Sequence, residues 1–107
     1  MRVRRLGKSY AHPLVVLIAL PNQLDRSRFA IVAGRSVGEA VQRNRAKRYL
    51  RESLRPLLPR VAPGWDVALL ARKPILSANL SDCQAAVFSL LQRAGLIYGE
   101  DDVSSKS

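Results

Sequence analysis

Val37-Gly38-Glu39-Ala40-Val41-Gln42-Arg43-Asn44-Arg45-Ala46-Lys47-Arg48-Tyr49-Leu50-Arg51-Glu52-Ser53-Leu54 is the stretch on which the reading of this chain turns. On a helix at 100° per residue, residues 41–57 bring Ala46, Tyr49, Leu50, Ser53, Leu54 and Leu57 to one face. Asn44, Arg45, Lys47, Arg48, Arg51 and Arg55 fall opposite, with Arg43 at the edge of the apolar stripe. Val41 is out of place on the basic side, which leaves the helix start open. Ser36-Val37-Gly38-Glu39 has the form of a capping box, but Gly38 inside it argues for a start near Ala40. Pro56 and Pro59 end the helix.

Six of the thirteen residues from Arg43 to Arg55 are basic and only Glu52 is acidic. A solvated helix face ordinarily mixes signs at i,i+4 spacing, which supports the helix. This one stacks Arg43, Lys47, Arg51 and Arg55 with like charge at that spacing. The repulsion weakens the helix unless a polyanion lies against it, and the planar guanidinium fork suits phosphate. Asn44, which both donates and accepts, either caps a backbone group or reads a ribose or base edge; the residues alone leave both open.

Upstream, the apolar run from Leu14 to Leu20, bounded by Pro13 and Pro21, reads as a strand with both faces covered. Pro21 to Asp25 reads as a turn, and Phe29 to Ala33 as a second strand that pairs antiparallel with the first. Residues 1–9 are basic and short on structure. Downstream, Pro63-Gly64 is a loop and Trp65 to Ala71 a third strand, closed by Arg72-Lys73-Pro74. A last helix follows, with Ser81 as N-cap, Ala85, Phe88, Leu91 and Leu96 at helical spacing, and Gly95 near its end. The expected fold is α+β: a single domain over 1–98, its helices 40–55 and 81–94 on one face of a sheet, with a basic segment 1–9 and a loose polar tail 99–107.

Composition points the same way. The chain has 107 residues, a net charge of +10 and a pI near 11.1, which calls for a polyanion partner, nucleic acid before membrane. A single cysteine, Cys83, excludes an internal disulfide framework and a Cys-rich zinc site. A single histidine, His12, leaves no imidazole pair for acid–base hydrolysis, and Asp25, Glu39, Asp66 and Asp82 are too scattered in sequence to suggest a metal site. Cys83 reads as a buried filler. Trp65 reads as core; Phe29 and Tyr10, the latter beside Lys8, read as either core or a stacking ring for an unpaired base, with core packing at least as good a reading for Phe29. The Leu14–Leu20 run is too short to span a bilayer, so the chain is expected in the cytoplasm, off the membrane and without an obligate protein partner.

The residues from Val37 to Glu52 resemble the signature of the bacterial ribonuclease P protein family, Gly-x-Ala-Val-x-Arg-Asn-x-x-Lys-Arg-x-x-Arg-Glu. Gly38, Ala40, Val41, Arg43, Asn44, Lys47, Arg48, Arg51 and Glu52 all stand where it requires. The resemblance runs from Gly7-Lys8-Ser9-Tyr10 through Trp65-Asp66 and Ala71-Arg72-Lys73-Pro74 to the last helix. It implies an α/β sandwich with a small sheet of four strands and a left-handed crossover through the basic helix, against the usual handedness. It further implies a protein that binds a catalytic RNA subunit and the 5′ leader of precursor tRNA, and assists removal of that leader. Hydrolysis would belong to the RNA subunit and its bound Mg²⁺, the protein holding no cofactor or metal and no catalytic residue.

Arg43, Asn44, Arg45, Lys47, Arg48, Arg51 and Arg35 would meet RNA, and Tyr10 and Lys8 the leader. The alternative is a structural RNA-binding protein, ribosomal-protein-like, with no part in cleavage. Two departures from the family stand out: Ser36 replaces a second basic residue after Arg35, and the family usually has a first helix upstream of the point where this chain begins. The expectation is that one sheet face is less covered, that the chain self-associates, and that the leader is held weakly.

Overall fold

The computed structural model of the chain describes residues 7–97; the first part of the basic segment and the tail 99–107 lie outside them. Strand β1, Lys8–Ala11, and strand β2, Val15–Pro21, form an antiparallel hairpin. His12 and Val15 exchange backbone hydrogen bonds at 3.0 and 3.2 Å around Pro13 and Leu14. The Leu14 N–H donates to His12 Nδ1 at 3.0 Å, so the imidazole serves as a turn cap. Lys8 and Ser9 therefore lie in a strand where the sequence suggested little structure. Their exposed polar side chains suit an edge strand, whose outer rim must discourage further pairing.

Strand β3, Arg28–Val32, does not pair with β2 as the sequence suggested. Strand β4, Trp65–Ala71, is inserted between them, giving the order β1-β2-β4-β3. β4 runs antiparallel to β2 and parallel to β3. Burial explains the order. β2 and β4 carry unbroken apolar runs whose middle residues, Leu17 to Ala19 and Val67 to Leu69, are buried on both faces, which only central strands allow. β3 is only half-buried and takes the edge.

Between β3 and β4 the chain crosses over through helix α1, Ala40–Leu54, and a 3₁₀ segment, Arg55–Arg60, that begins where Pro56 denies the α-helix its next donor. Helix α2, Leu80–Arg93, follows a second 3₁₀ turn, Lys73–Ser77. Its N-cap is Asn79, whose Oδ1 accepts from the Asp82 N–H at 2.8 Å; the cap falls two residues before Ser81 because Asn79 and Asp82 form the reciprocal pair. Its C-terminus closes on Gly95 at φ +73°, with Gly95 N–H donating to Gln92 O and Leu96 N–H to Leu91 O, which tucks Leu96 into the core.

Both helices pack on one face of the sheet. Val15, Leu17, Ala19, Val67 and Leu69 supply the sheet side of the core. Ala46, Leu50 and Leu54 come from α1, and Cys83, Ala86, Val87, Leu90 and Leu91 from α2. Ala85 is exposed, so the inner face of α2 lies one residue away from the spacing the sequence suggested. Ser53 is accommodated in the apolar face because its Oγ donates to Tyr49 O at 2.7 Å. Cys83 is fully buried, and that burial, with Asp82 alongside, pushes its thiol pKa up; it packs as an apolar filler. On the opposite sheet face Ile18 and Ala68 form a smaller cluster with Val16, Leu20 and Leu70.

Leu50 is fully buried at the centre of this layer while Arg48 is exposed. Leu50→Ala should lower the unfolding free energy by about 2–5 kcal/mol, whereas Arg48→Ala should change it by no more than about 0.5 kcal/mol. Urea melts of the two variants check which way the helix faces.

Candidate nucleic-acid interface

The basic helix starts from a tight turn. Val37 N–H donates to Gly34 O at 3.0 Å and Gly38 N–H to Arg35 O at 3.1 Å, while the Val37 side chain is fully buried. Gly38 sits at φ +152°, a conformation that side-chain-bearing residues avoid. A Cβ there would clash with Gln42 Oε1, the atom that accepts from the Glu39 N–H at 2.8 Å. The capping pair is thus Glu39 with Gln42, three residues on from the Ser36 box that the sequence suggested, and Gly38 is what lets Gln42 reach back. Arg43 Nη1 also donates to Gly38 O at 3.2 Å, so this arginine, half-buried, braces the turn.

From this start the seven expected RNA-facing residues divide by position. Arg35 is exposed on the turn. Asn44, Arg45, Arg48 and Arg51 are exposed along α1, and Lys47 is half-buried. Arg45 is oriented by its neighbours: its Nη2 donates to Leu76 O at 3.1 Å and its guanidinium lies 5.7 Å from the centre of the Tyr49 ring. Arg55 continues the row into the 3₁₀ segment. Among the described residues, the ion pair formed is Arg28 with Asp66, at 2.8 Å, on the sheet rather than on this helix. Glu52 is the one carboxylate on α1, so the row presents a large excess of positive charge.

One apolar residue stands on the basic side, as the wheel placed it. Val41, an apparent misfit, lies within α1 with 80% of its surface exposed, in the middle of the polar face. An exposed apolar side chain among cations suits contact with a sugar or base between phosphates. Its presence in the stretch was the available signal.

Tyr10 and Lys8 are not part of this surface. They lie on β1, at the sheet edge opposite β3, three strand spacings of about 4.8 Å away. By register with Leu17, Tyr10 is on the helix-covered face, half-buried, and Lys8, opposite Ala19, is on the same face and exposed. Among the described residues no three His, Cys, Asp or Glu side chains come together. Among them, too, no helix is long and apolar enough to cross a membrane. The arrangement can bind several phosphates at once along a rigid rod.

The family model described as Ribonuclease P matches residues 1–95. A ribonuclease P protein component from Herpetosiphon aurantiacus is 40% identical over 105 residues, covering 98% of this chain and 85% of the relative. One from Roseiflexus castenholzii is 42% identical over 99 residues, covering 92% and 81%. Among solved structures, the Staphylococcus aureus RNase P protein superposes with a TM-score of 0.81 at 26% identity, covering 91% of this chain and 89% of that one. The Thermotoga maritima RNase P protein gives 0.78 at 28% identity, covering 92% and 90%.

The geometry at Gly38 makes a direct prediction. Gly38→Ala puts a Cβ against Gln42 Oε1 and forces a strained φ, so it should cost about 1–3 kcal/mol and fray the first turn of α1. Melts and far-ultraviolet circular dichroism read both; a silent substitution would show that the helix start does not depend on this close approach.

Proposed function

The chain belongs to the ribonuclease P protein family, and on that premise we propose that α1 is the surface that grips the catalytic RNA subunit. Members of this family work with an RNA subunit in maturing tRNA 5′ ends. The observation that carries the reading is the row of cations, with Glu52 the one acid among them, on a helix locked at its start and along its inner face. Arg48, Arg51 and Arg55 would each meet phosphate oxygens. Arg45, held by Leu76 and Tyr49, would meet them in a fixed orientation. Asn44 would add a contact to a ribose or base edge, and Arg35 a phosphate ahead of the helix.

The same reading assigns hydrolysis to the RNA subunit. A general acid–base pair or a metal cluster is what a protein nuclease would need, and His12, the sole histidine, is occupied in capping a hairpin turn. The carboxylates Asp25, Glu39, Asp66 and Asp82 do not converge into a donor set, so Mg²⁺ would be held by the RNA. The protein's contribution is then positional and electrostatic: it screens the repulsion between two polyanions, the RNA subunit and precursor tRNA. The leader would be held by the second group of residues, Tyr10 as a stacking ring and Lys8 as a phosphate contact. The site of action would be the cytoplasm. A structural RNA-binding protein without a part in cleavage explains the basic helix equally well, but leaves the family match over residues 1–95 unexplained.

Two measurements test this. If Arg45, Lys47, Arg48, Arg51 and Arg55 each neutralise a phosphate, log affinity for an RNase P RNA transcript should fall against log salt with a slope of about −4. A slope near zero would remove the electrostatic interface. In the second, purified protein is added to an RNA subunit transcript and a precursor tRNA at low Mg²⁺. Cleavage should be restored, and more so for a substrate with a long leader than for one with a short leader; protein without the RNA should cut nothing.

A further inference from the structure

The RNA-facing flank of α1 does not end in a flat surface. Where α1 passes into its 3₁₀ extension, it stands beside the edge strand β3, and the two enclose an open hollow of about 360 Å³. Its lining is Phe29 and Ile31 from β3, Arg51 and Leu54 from α1, and Arg55 and Leu58 from the 3₁₀ segment. The floor is apolar and partly aromatic, and the rim carries two guanidinium groups and no acid. Leu58 exposes 43% of its surface there, one of three large apolar side chains among the described residues that are left so open. Neither Arg51 nor Arg55 has a side-chain partner among the described residues.

We propose that this hollow takes an unpaired base of the RNA subunit, stacked on Phe29 and flanked by phosphates on Arg51 and Arg55. The inference rests on the reading of α1 as the RNA surface and specifies a point on it. An apolar pocket with a ring in it, open to solvent and continuous with a polycationic row, matches how single-stranded bases are held: ring against ring, backbone against arginine. A hydrophobic protein segment would fill the floor equally well, but would leave two arginines facing it without a complementary charge, which is costly at a desolvated rim. The sugar–phosphate chain on either side of an extruded base supplies that charge. The side chains around the hollow offer donors and no acceptor, so the pocket would select by stacking and shape, and tolerate more than one base.

The test uses the whole chain and a transcript of an RNase P RNA subunit. Three variants are compared with the parent: Phe29→Leu, which keeps apolar volume but removes the ring; Leu58→Asn at the exposed rim, which spares the core; and Arg48→Ala, which lies outside the hollow. Phe29→Leu should weaken binding on the order of tenfold with the parent's salt slope, because stacking releases no counterions, and with only a modest fall in melting temperature from the core contact that Phe29 also makes. Leu58→Asn should weaken it in the same salt-independent way. Arg48→Ala should weaken binding and make the slope shallower by about one. Chemical probing should show at least one unpaired nucleotide protected by the parent and exposed again with Phe29→Leu.

If Phe29→Leu and Leu58→Asn both bind as the parent does while Arg48→Ala is weakened, the hollow is empty of RNA or belongs to a protein segment. The proposal then fails while the reading of α1 stands. If Phe29→Leu also flattens the salt slope, its effect is displaced arginines rather than a lost stack, and the proposal again fails. If none of the three variants weakens binding, the RNA-surface reading falls and takes the pocket with it.

Discussion

The constraint on which this molecule depends is the repulsion along its own basic helix. Arg43, Lys47, Arg51 and Arg55 follow one another at i,i+4 spacing, and like pairs at that spacing each destabilise a helix by about 0.2–0.5 kcal/mol. The three successive pairs therefore oppose folding by about 1 kcal/mol. The inner face outweighs this: Leu50 is fully buried and Leu54 nearly so, each contributing about 1.5–3 kcal/mol of transfer free energy. Burial wins, and the excess lets the outer face stay predominantly positive, with Glu52 its one acid. The helix start is secured separately, by Gly38 and the Gln42–Glu39 bond, and Arg43 is drawn inward to the Gly38 carbonyl, which moves one of the four charges out of the row.

The sheet has to hold that helix from one side only. Placing β4 between β2 and β3 does so, because the crossover from β3 to β4 lays α1 across their half of the sheet while α2 covers β1 and β2. At one end of these strands Arg28 and Asp66 pair through two hydrogen bonds, 2.9 and 2.8 Å, and the same carboxylate accepts from Asn22 Nδ2 at 2.9 Å. Asn22 also turns the chain, its Oδ1 accepting from the Leu24 N–H at 2.7 Å. Ser27 accepts from the Trp65 N–H and donates to Ala62 O. The loop between β2 and β3 is thereby clasped to the one that leads into β4. These contacts join residues about forty positions apart, and they fix the parallel register that the helix depends on. Arg28 is exposed, so the pairing with Asp66 raises its pKa without adding much stability.

The two helices and the three apolar strands were legible in the sequence because their signals are local. The α1 wheel placed Ala46, Leu50, Ser53 and Leu54 inside and Arg48 and Arg51 outside, where they are. Pairing was not legible. Nothing within the residues from Pro13 to Ala33 shows that a strand more than thirty positions downstream will separate β2 from β3; that follows from the competition among three apolar strands for two central places. The start of α1 near Ala40 was legible from Gly38, although the Ser36 box was not the one formed; the cap of α2 was misjudged by two residues because Ser81 competes with Asn79 for the same orphan donors, and only the neighbouring backbone decides. β1 was missed because Lys8 and Ser9 show no apolar run: an edge strand exposed on this side needs none. The hollow beside β3 was invisible for a different reason, since Phe29 and Arg51 are brought together only by the crossover.

A helix whose charge is tolerated rather than satisfied by its own fold suits a protein that must bind RNA. A cation already paired to a carboxylate must lose that partner before it meets a phosphate, and the exchange returns little net free energy. On α1 Glu52 is the one carboxylate beside the row, so on the proposed reading contact with RNA would relieve repulsion within the helix and release counterions from the RNA in the same step. The two gains reinforce each other, and neither requires the protein to change shape, because the Gly38 turn and the leucine face hold α1 in place beforehand. On the proposed reading the binding surface is therefore preorganised, and the folding free energy given up to keep like charges together is recovered when the RNA arrives.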